Sequence, residues 1–251
     1  EGEEMYSVNS PGFAGGDRTS IELPQVQRDI LKALKKAGKK VVFVNCSGSA
    51  VALVPEMESC DAILQAWYPG QAGGLAVADV LFGDFNPSGK LPVTFYKNTD
   101  QLPDFEDYSM KNRTYRYMTE VPLFPFGYGL SYTTFDISKG RLNKKTISAG
   151  QDLNFKVNVK NTGKYDGAEV IQVYVRKVDD AEGPIKSLRA FRRVPLKAGE
   201  ACVVSIDLLS TTFEFFDPTT NTMRIMPGKY EIMYGNSSDI PSGNKLSVTL
   251  R

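Results

Sequence analysis

The 251-residue sequence contains no histidine. This absence excludes Ser-His-Asp and Cys-His catalysis and removes the commonest side-chain ligand of transition metals. Any chemistry must therefore fall to carboxylates, lysine, tyrosine or cysteine, and we expect neither a metal site nor a cofactor.

Cysteine is scarce as well, with only Cys46, Cys60 and Cys202 along the chain. Cys46 and Cys202 lie in apolar runs typical of strands, where a thiol behaves as a small hydrophobic group. The sequence therefore predicts buried free thiols and no disulfide framework.

Long apolar runs and an excess of one charge are also missing. No stretch approaches the ~20 consecutive apolar residues that a membrane-spanning helix requires, so we expect no membrane span. Thirty basic and 29 acidic residues leave a formal net charge of +1, which does not favour a nucleic-acid partner. With 41% apolar residues, the chain is long enough for two globular domains, each with its own core.

A helix is predicted near the start of the chain. Pro24 is suited to the beginning of a helix and Gly38 to the position just after its end. Between them, four apolar residues recur at helical spacing, which predicts a helix: Val26, Ile30, Leu34 and Ala37.

Further helix and strand signals follow up to about residue 135. Residues 41–46 and 62–67 are continuously apolar, as in strands buried on both faces. Residues 73–82 predict a second helix, and residues 91–95 a short extended segment. This order predicts that residues 1–135 form an α/β domain, a three-layer sandwich with a mostly parallel sheet.

After Phe135 the apolar pattern changes to a period of two. Alternating residues such as Leu153, Phe155 and Val157 are typical of half-buried strands, and turn signals such as Asn161-Thr162-Gly163 separate the strands. Residues 136–251 are therefore predicted to form an all-β sandwich of the immunoglobulin or fibronectin III type.

The acidic cluster Glu1-Gly2-Glu3-Glu4 is the first candidate for chemistry. Three close carboxylates repel one another, so the pKa of at least one is raised if the site is partly dry. A raised pKa suits a general acid in glycoside hydrolysis, which needs one carboxyl group to protonate the leaving oxygen. From residue type alone, an acidic surface turn is the commoner explanation of such a cluster.

Four longer motifs resemble glycoside hydrolase family 3, the exo-acting β-glucosidases and β-xylosidases. They occur in the family's order, and the resemblance extends over nearly the whole chain: residues 66–74 (AWYPGQAGG), 79–92 (DVLFGDFNPSGKLP), 125–135 (PFGYGLSYTTF) and 161–175 (NTGKYDGAEVIQVYV). The combination of the acidic cluster with Gly16-Asp17-Arg18-Thr19 is similar to the bacterial xylosidase-like branch.

The resemblance implies the C-terminal portion of a retaining glycosidase, with an α/β sandwich domain joined to a fibronectin type III-like domain. It implies that Glu3 is the catalytic acid/base, with Glu4 and Glu1 as fallbacks, and that Asp17 and Arg18 contact substrate. The partners implied are an oligosaccharide or glycoside substrate and an N-terminal (β/α)8 barrel of the same protein. That barrel carries the family's aspartate nucleophile and has no counterpart in this chain, so the chain alone is expected to be inactive. A periplasmic or secreted location is favoured by the resemblance only.

Two other classes of function are weighed against this one. A non-catalytic carbohydrate-binding or interaction module is the main alternative, because the barrel is missing and the loops are rich in aromatic residues. A dinucleotide-binding domain is less consistent with the sequence, since Gly70, Gly73 and Gly74 do not match the G-x-G-x-x-G spacing.

The segment from Pro125 to Phe135 joins the two predicted domains. Because it is both glycine-rich and aromatic, we expect tight backbone turns with rings packed between layers. Tyr128, Tyr132 and Phe135 are predicted to be buried.

Overall fold

A computed structural model describes residues 12–14 and 17–251 of the chain. The described residues divide into two compact units. Unit 1 contains the chain up to Phe85 together with Val93–Arg113 and Thr119–Phe124. Unit 2 contains Asn86–Pro92, Thr114–Met118 and Pro125–Arg251. The predicted domain boundary after Phe135 stays a prediction.

Unit 1 combines short strands with three helices. The elements are β1 (Phe13–Ala14), β2 (Asp17–Arg18), α1 (Gln25–Lys36), β3 (Val42–Asn45), α2 (Val54–Ser59), β4 (Ala62–Gln65) and α3 (Gly73–Phe82), followed by a 3₁₀ turn at Thr99–Gln101. The two helices predicted from the sequence are confirmed as α1 and α3, whereas α2 was not anticipated. Gly83 ends α3 with a φ of 87°, a left-handed conformation that glycine adopts without a steric penalty.

The mostly parallel sheet predicted for the first domain is not confirmed. In unit 1, β3 and β4 pair in parallel from Val42–Ala62 to Asn45–Gln65, but across the described residues the sheets are largely antiparallel. The segment 91–95, predicted to be extended, does not pair with β3 or β4. Instead, the Leu91 amide donates to the Tyr128 carbonyl, and Phe95 forms an antiparallel bridge with Phe124.

The apolar stripe of α1 is exposed in the described part of the chain. Val26, Ile30 and Leu34 are 65%, 56% and 41% exposed. The side of the helix that faces unit 1 instead carries Arg28, whose Nε lies 3.3 Å from the buried carboxylate of Glu56. The helix is therefore amphipathic in sequence, with its apolar side turned away from the described part of unit 1.

Two burial predictions are wrong in the same region. Val42, at the start of β3, is 48% exposed rather than buried on both faces. Cys46 is exposed, whereas Cys60 and Cys202 are partly buried, and all three thiols are free.

Unit 2 is a sandwich of two main sheets. After the short helix α4 (Thr114–Tyr117), its strands are β5 (Phe135–Leu142), β6 (Thr146–Ile147), β7 (Leu153–Asn161), β8 (Gly167–Lys177), β9 (Ser187–Leu196), β10 (Ala201–Leu208), β11 (Glu214–Asp217), β12 (Thr222–Ile225), β13 (Gly228–Gly235) and β14 (Lys245–Leu250). The strand orders are β10-β7-β5 and β6-β14-β13-β8-β9, and β11 and β12 form a separate hairpin.

The alternating pattern read from the sequence explains the core of unit 2. Side chains at every second position of β7 and β10 lie in one continuous apolar cluster with side chains from β8, β13 and β14. Phe155 and Tyr230 are fully buried within it, and the Phe155 and Tyr234 rings lie 5.1 Å apart. The predicted all-β sandwich is thus present.

A buried ion pair joins the segment Asn86–Pro92 to β8 of the sandwich. Lys90 Nζ lies 2.7 Å from Glu169 Oε1, and the two side chains are 12% and 6% exposed. Lys90 Nζ also donates to the carbonyl of Gly129 at 3.0 Å, while the Asn236 amide donates to the other Glu169 oxygen at 2.9 Å. The charges are therefore paired and hydrogen-bonded, as burial requires.

Hydrogen bonds of the Asn86 side chain and a close approach of two glycines hold residues 86–92 against the Pro125–Tyr132 segment. Asn86 Oδ1 accepts hydrogen bonds from the Ser131 hydroxyl and the Tyr132 amide, both at 2.8 Å. A Cβ at Gly129 would lie 2.1 Å from the Gly89 carbonyl oxygen, so only glycine permits this approach. Tyr132 itself is 47% exposed, so the prediction that its ring is buried is wrong. Asn86 binds the backbone amide of this residue, and the ring is not needed for that contact.

We predict that Lys90→Ala destabilises unit 2 strongly. Removing one partner of a buried ion pair leaves the other charge unpaired, which costs about 3–5 kcal/mol. Urea denaturation of the purified chain measures this cost. The control is Lys245→Ala, which removes an ion pair with Glu231 whose two side chains are 44% and 27% exposed and should cost less than about 1 kcal/mol. Equal losses in the two variants contradict the role given to Lys90.

Candidate active site

The structure reaches only part of the predicted catalytic segment. Glu1, Glu3 and Glu4 lie outside the described residues, so their roles stay predictions. Asp17 and Arg18 form β2, which pairs antiparallel with β1 in the register Phe13–Arg18 and Ala14–Asp17. Asp17 is exposed and Arg18 half-buried, and Arg18 Nε donates to the carbonyl of Ser20 at 3.3 Å.

A hydrogen-bonded cluster lies directly after this hairpin, and its centre is the Glu22 carboxylate. Glu22 Oε1 accepts the Thr99 amide at 2.9 Å and Oε2 accepts the Thr99 hydroxyl at 2.6 Å. The Ser20 hydroxyl also donates to Oε2. The Thr99 hydroxyl in turn accepts the Ile21 amide at 3.1 Å. The turn after β2 is therefore tied to the 3₁₀ turn that begins at Thr99.

These donors determine the charge state of Glu22. Partial burial raises the pKa of its carboxyl, but the hydrogen bonds from Ser20 and Thr99 outweigh this and lower the pKa from 4.5 to about 2. Glu22 is consequently ionised at neutral pH. A catalytic acid must hold a proton there, so Glu22 is suited to positioning the loop and not to protonating a leaving group.

The core of unit 1 anchors the same turn. The Ala52 amide donates to the Ile21 carbonyl at 2.9 Å, and Glu22 and Ala52 form a parallel bridge. Ala52 and its neighbours Val51 and Leu53 are almost fully buried. The segment that leads out of the candidate catalytic loop is thus attached to a rigid part of the unit.

Glu56 is the other unusual carboxyl group of unit 1. Burial raises its pKa, opposed by the charges of Arg28 and Lys32, and its Oε2 has no hydrogen-bond partner. A raised pKa suits an acid catalyst. However, the residue is only 1% exposed, which leaves no room for a substrate at its carboxyl, so we assign it a structural role beside Arg28.

Sequence reasoning missed Ser20, Glu22 and Thr99. Glu22 and Thr99 are 77 positions apart, and neither lies in a motif. A lone threonine before Asp100 gives no sign of such a partner. Short-range sequence patterns therefore indicate the hairpin with Asp17 and Arg18, but not the Glu22–Thr99 hydrogen bonds that hold it in place.

The described part of the chain contains neither a cluster of metal ligands nor a membrane-spanning helix. Within residues 12–14 and 17–251, no group of three or more cysteine, aspartate or glutamate side chains could hold a metal ion. Helices in this same part of the chain are all too short or too polar to cross a membrane.

Comparison with known proteins places the chain in a family. Residues 1–132 match the model of the glycosyl hydrolase family 3 C-terminal domain, and residues 169–238 match a fibronectin type III-like domain. Since the first match covers more than half of the chain, the protein belongs to glycosyl hydrolase family 3. The predicted family is thus confirmed.

Individual relatives agree with this assignment. A xylan 1,4-beta-xylosidase of Xylanibacter ruminicola is 61% identical over 250 residues, covering 100% of this chain and 29% of the relative. A periplasmic beta-glucosidase of Salmonella typhimurium is 41% identical, over 91% of this chain and 32% of the relative. The crystal structure of a beta-glucosidase from Listeria innocua in complex with isofagomine superposes with a TM-score of 0.80 at 33% identity, over 95% of this chain and 35% of that chain. The chain spans about a third of the length of these relatives.

We predict that Glu22→Gln weakens unit 1 and changes its response to acid. The carboxylate contributes stability above pH 4.5, and this contribution is lost as the pH falls towards 2, because its folded-state pKa is depressed. At pH 7 the variant should lose roughly 1–3 kcal/mol, the usual range for hydrogen bonds to a charged group.

Thermal denaturation between pH 2 and 7 checks this prediction. The unsubstituted 251-residue chain should lose more stability on acidification than Glu22→Gln does. Glu58→Gln, the same chemical change at an exposed side chain of α2, is the control and should behave like the unsubstituted chain. If the melting temperature of Glu22→Gln falls with pH in parallel with that of the unsubstituted chain, the depressed pKa assigned to Glu22 is wrong.

Proposed function

We propose that this chain is the C-terminal part of a retaining, exo-acting β-glycosidase, a β-xylosidase or β-glucosidase that removes terminal non-reducing sugars from oligosaccharides. The observation that carries the proposal is the 61% identity to a xylan 1,4-beta-xylosidase along 100% of the chain. Because the chain spans only about a third of such relatives, the activity belongs to the longer parent protein.

In the proposed mechanism Glu3 is the general acid/base. Its carboxyl protonates the glycosidic oxygen as the bond breaks, and the resulting carboxylate then activates the water that releases the sugar. The nucleophile is a carboxylate of the N-terminal barrel, about 5 to 5.5 Å from the acid, as retaining chemistry requires. The sugar is then carried as a covalent intermediate between the two steps.

Asp17 and Arg18 are proposed to contact the substrate. Their hairpin directly follows the acidic segment in sequence, and it is anchored through Glu22, Thr99 and Ala52. An anchored loop supports this role because catalytic groups must be held within a fraction of an ångström of the productive geometry.

The three-layer α/β sandwich with a mostly parallel sheet belongs to the same proposal. A sheet of two strands is too small to be stable alone, and α1 leaves Val26, Ile30 and Leu34 exposed. Both features are explained if upstream residues of the parent protein add strands beside β3 and β4 and cover the apolar stripe of α1.

We predict that Glu3→Gln in the full-length parent preserves the fold but slows glycosylation of poor leaving groups. The kcat/KM for oligosaccharides should fall roughly 10²- to 10⁴-fold, the usual contribution of general acid–base catalysis. For aryl glycosides with acidic phenols, kcat/KM should fall much less, because those phenols leave with little protonation. Added azide should raise the turnover of these substrates by Glu3→Gln, because it attacks the covalent glycosyl-enzyme intermediate.

Glu4→Gln and Glu1→Gln are the matched controls, and each should retain activity close to the parent. An unchanged rate of oligosaccharide hydrolysis in Glu3→Gln moves the role to Glu4 and then to Glu1. The 251-residue chain alone should show no turnover. If reconstitution with the barrel gives sugar binding but no hydrolysis, the chain is a carbohydrate-binding module.

We also predict that Ile30→Lys destabilises the full-length protein but not the 251-residue chain. In the 251-residue chain the side chain is already in water, so the melting temperature should stay within about 1 °C. In the parent, a lysine placed in a buried apolar interface should cost several kcal/mol. Lys36→Gln, a change on the same helix outside the stripe, should be neutral in both forms. Equal melting temperatures of parent and Ile30→Lys exclude a covered stripe.

A further inference from the structure

The loop from Leu102 to Arg113 presents two aromatic rings to solvent. Phe105 and Tyr108 are each 90% exposed. Neither ring contributes to the core of unit 1. A single exposed apolar side chain is ordinary, but two large rings three positions apart in one loop form an aromatic surface, which either a ligand or another part of the full-length protein covers.

Arg113 makes this loop rigid. Its Nε donates to the Ser109 carbonyl at 3.0 Å, and its Nη2 donates to the carbonyls of Asp104, at 3.2 Å, and of Asp107. The Asp104 and Asp107 carboxylates each accept a backbone amide two residues further on, at 2.8 Å. The rings are therefore carried on a pre-organised backbone, which reduces the entropy lost on binding.

The loop begins beside the candidate catalytic hairpin. Thr99, which binds the Glu22 carboxylate directly after β2, starts the 3₁₀ turn Thr99–Gln101. Leu102 follows that turn. The hairpin with Asp17 and Arg18 and the loop with the two rings thus extend from one hydrogen-bonded cluster within unit 1.

The side chains around the rings indicate what kind of partner they bind. Phe105 and Tyr108 alternate with Asp104, Glu106 and Asp107, all of which are exposed. Aspartate and glutamate are depleted in the dry centres of protein interfaces. The three carboxylates of the loop outnumber its two cations, Lys111 and Arg113, which disfavours an anionic ligand. A neutral sugar fits both features, because its C–H face stacks on a ring while its hydroxyl groups donate to carboxylates.

We propose that Phe105 and Tyr108 form a stacking subsite for the leaving-group side of a neutral oligosaccharide. An exo-acting enzyme holds the terminal sugar at its acid and nucleophile, so the remaining sugar units extend outwards, where exposed rings on a neighbouring loop can bind them. The choice of ligand rests on the proposed function.

The test compares substrates of different length in the full-length parent. Phe105→Ala and Tyr108→Ala should each raise the KM for xylotriose and xylotetraose by roughly three- to tenfold, the value of one aromatic contact. The KM for methyl β-xyloside, whose methyl leaving group has neither a further sugar unit nor a ring to stack, should stay unchanged, as should kcat. Phe191→Ala, at an aromatic residue of β9 that is 68% exposed, is the matched control and should change none of these constants.

A second measurement does not depend on catalysis. In a native gel containing soluble xylan, the parent should migrate more slowly than in a gel without it, and the double variant Phe105→Ala/Tyr108→Ala should lose this retardation. If the parent hydrolyses nothing but retardation still depends on the rings, the subsite is supported while the proposed function fails.

Two results overturn the subsite. In the first, both ring variants show the same KM values for every substrate length, and the same retardation by xylan, as the unsubstituted full-length protein. In the second, the ring variants of the full-length protein melt several degrees lower but are still retarded by xylan, which means that the rings pack against protein.

Discussion

The ion pair between Lys90 and Glu169 is the interaction on which the arrangement of unit 2 depends. It connects the 86–92 segment to β8, and the Gly129 carbonyl and the Asn236 amide complete the hydrogen bonding of the two charges. Motifs that are far apart in sequence, around Lys90, Gly129 and Glu169, are therefore parts of one buried contact. Their occurrence together along the chain has a physical reason, because each one supplies a partner that the others require.

Local signals predicted the elements well but burial poorly. Pro24 and Gly38 mark the beginning and the end of α1 as expected, since helix ends depend on short-range backbone geometry. Whether the Ile30 side chain is covered depends on which other parts of a protein lie beside it, and a helical spacing cannot say where they come from. In unit 2 both sheets lie within the chain, and there the alternation of β7 predicted the core correctly.

In the candidate site too, features set by neighbouring residues could be predicted from the sequence, whereas contacts between distant residues could not. The hairpin residues Asp17 and Arg18 could be named from sequence because they lie in a short pattern that resembles a family motif. The anchor of that hairpin could not, because Glu22 meets Thr99 only after the chain has folded. The rings of Phe105 and Tyr108 were likewise visible as residues, but their exposure depends on how Arg113 folds the loop around its guanidinium.

The repeated passage of the chain between the two units limits where the polypeptide can be cut. A fragment that starts at residue 136 contains β6 to β14 and all but the first residue of β5, but it lacks Asn86–Pro92, Thr114–Met118 and Pro125–Phe135. It would expose the Glu169 carboxylate and the Gln172 amide, which normally bind Lys90 and the Gly127 carbonyl. Expression of the fibronectin type III-like domain by excision at the family boundary would thus give a sandwich with unsatisfied polar groups on β8. A soluble single-domain version would need those segments grafted back or both β8 side chains replaced.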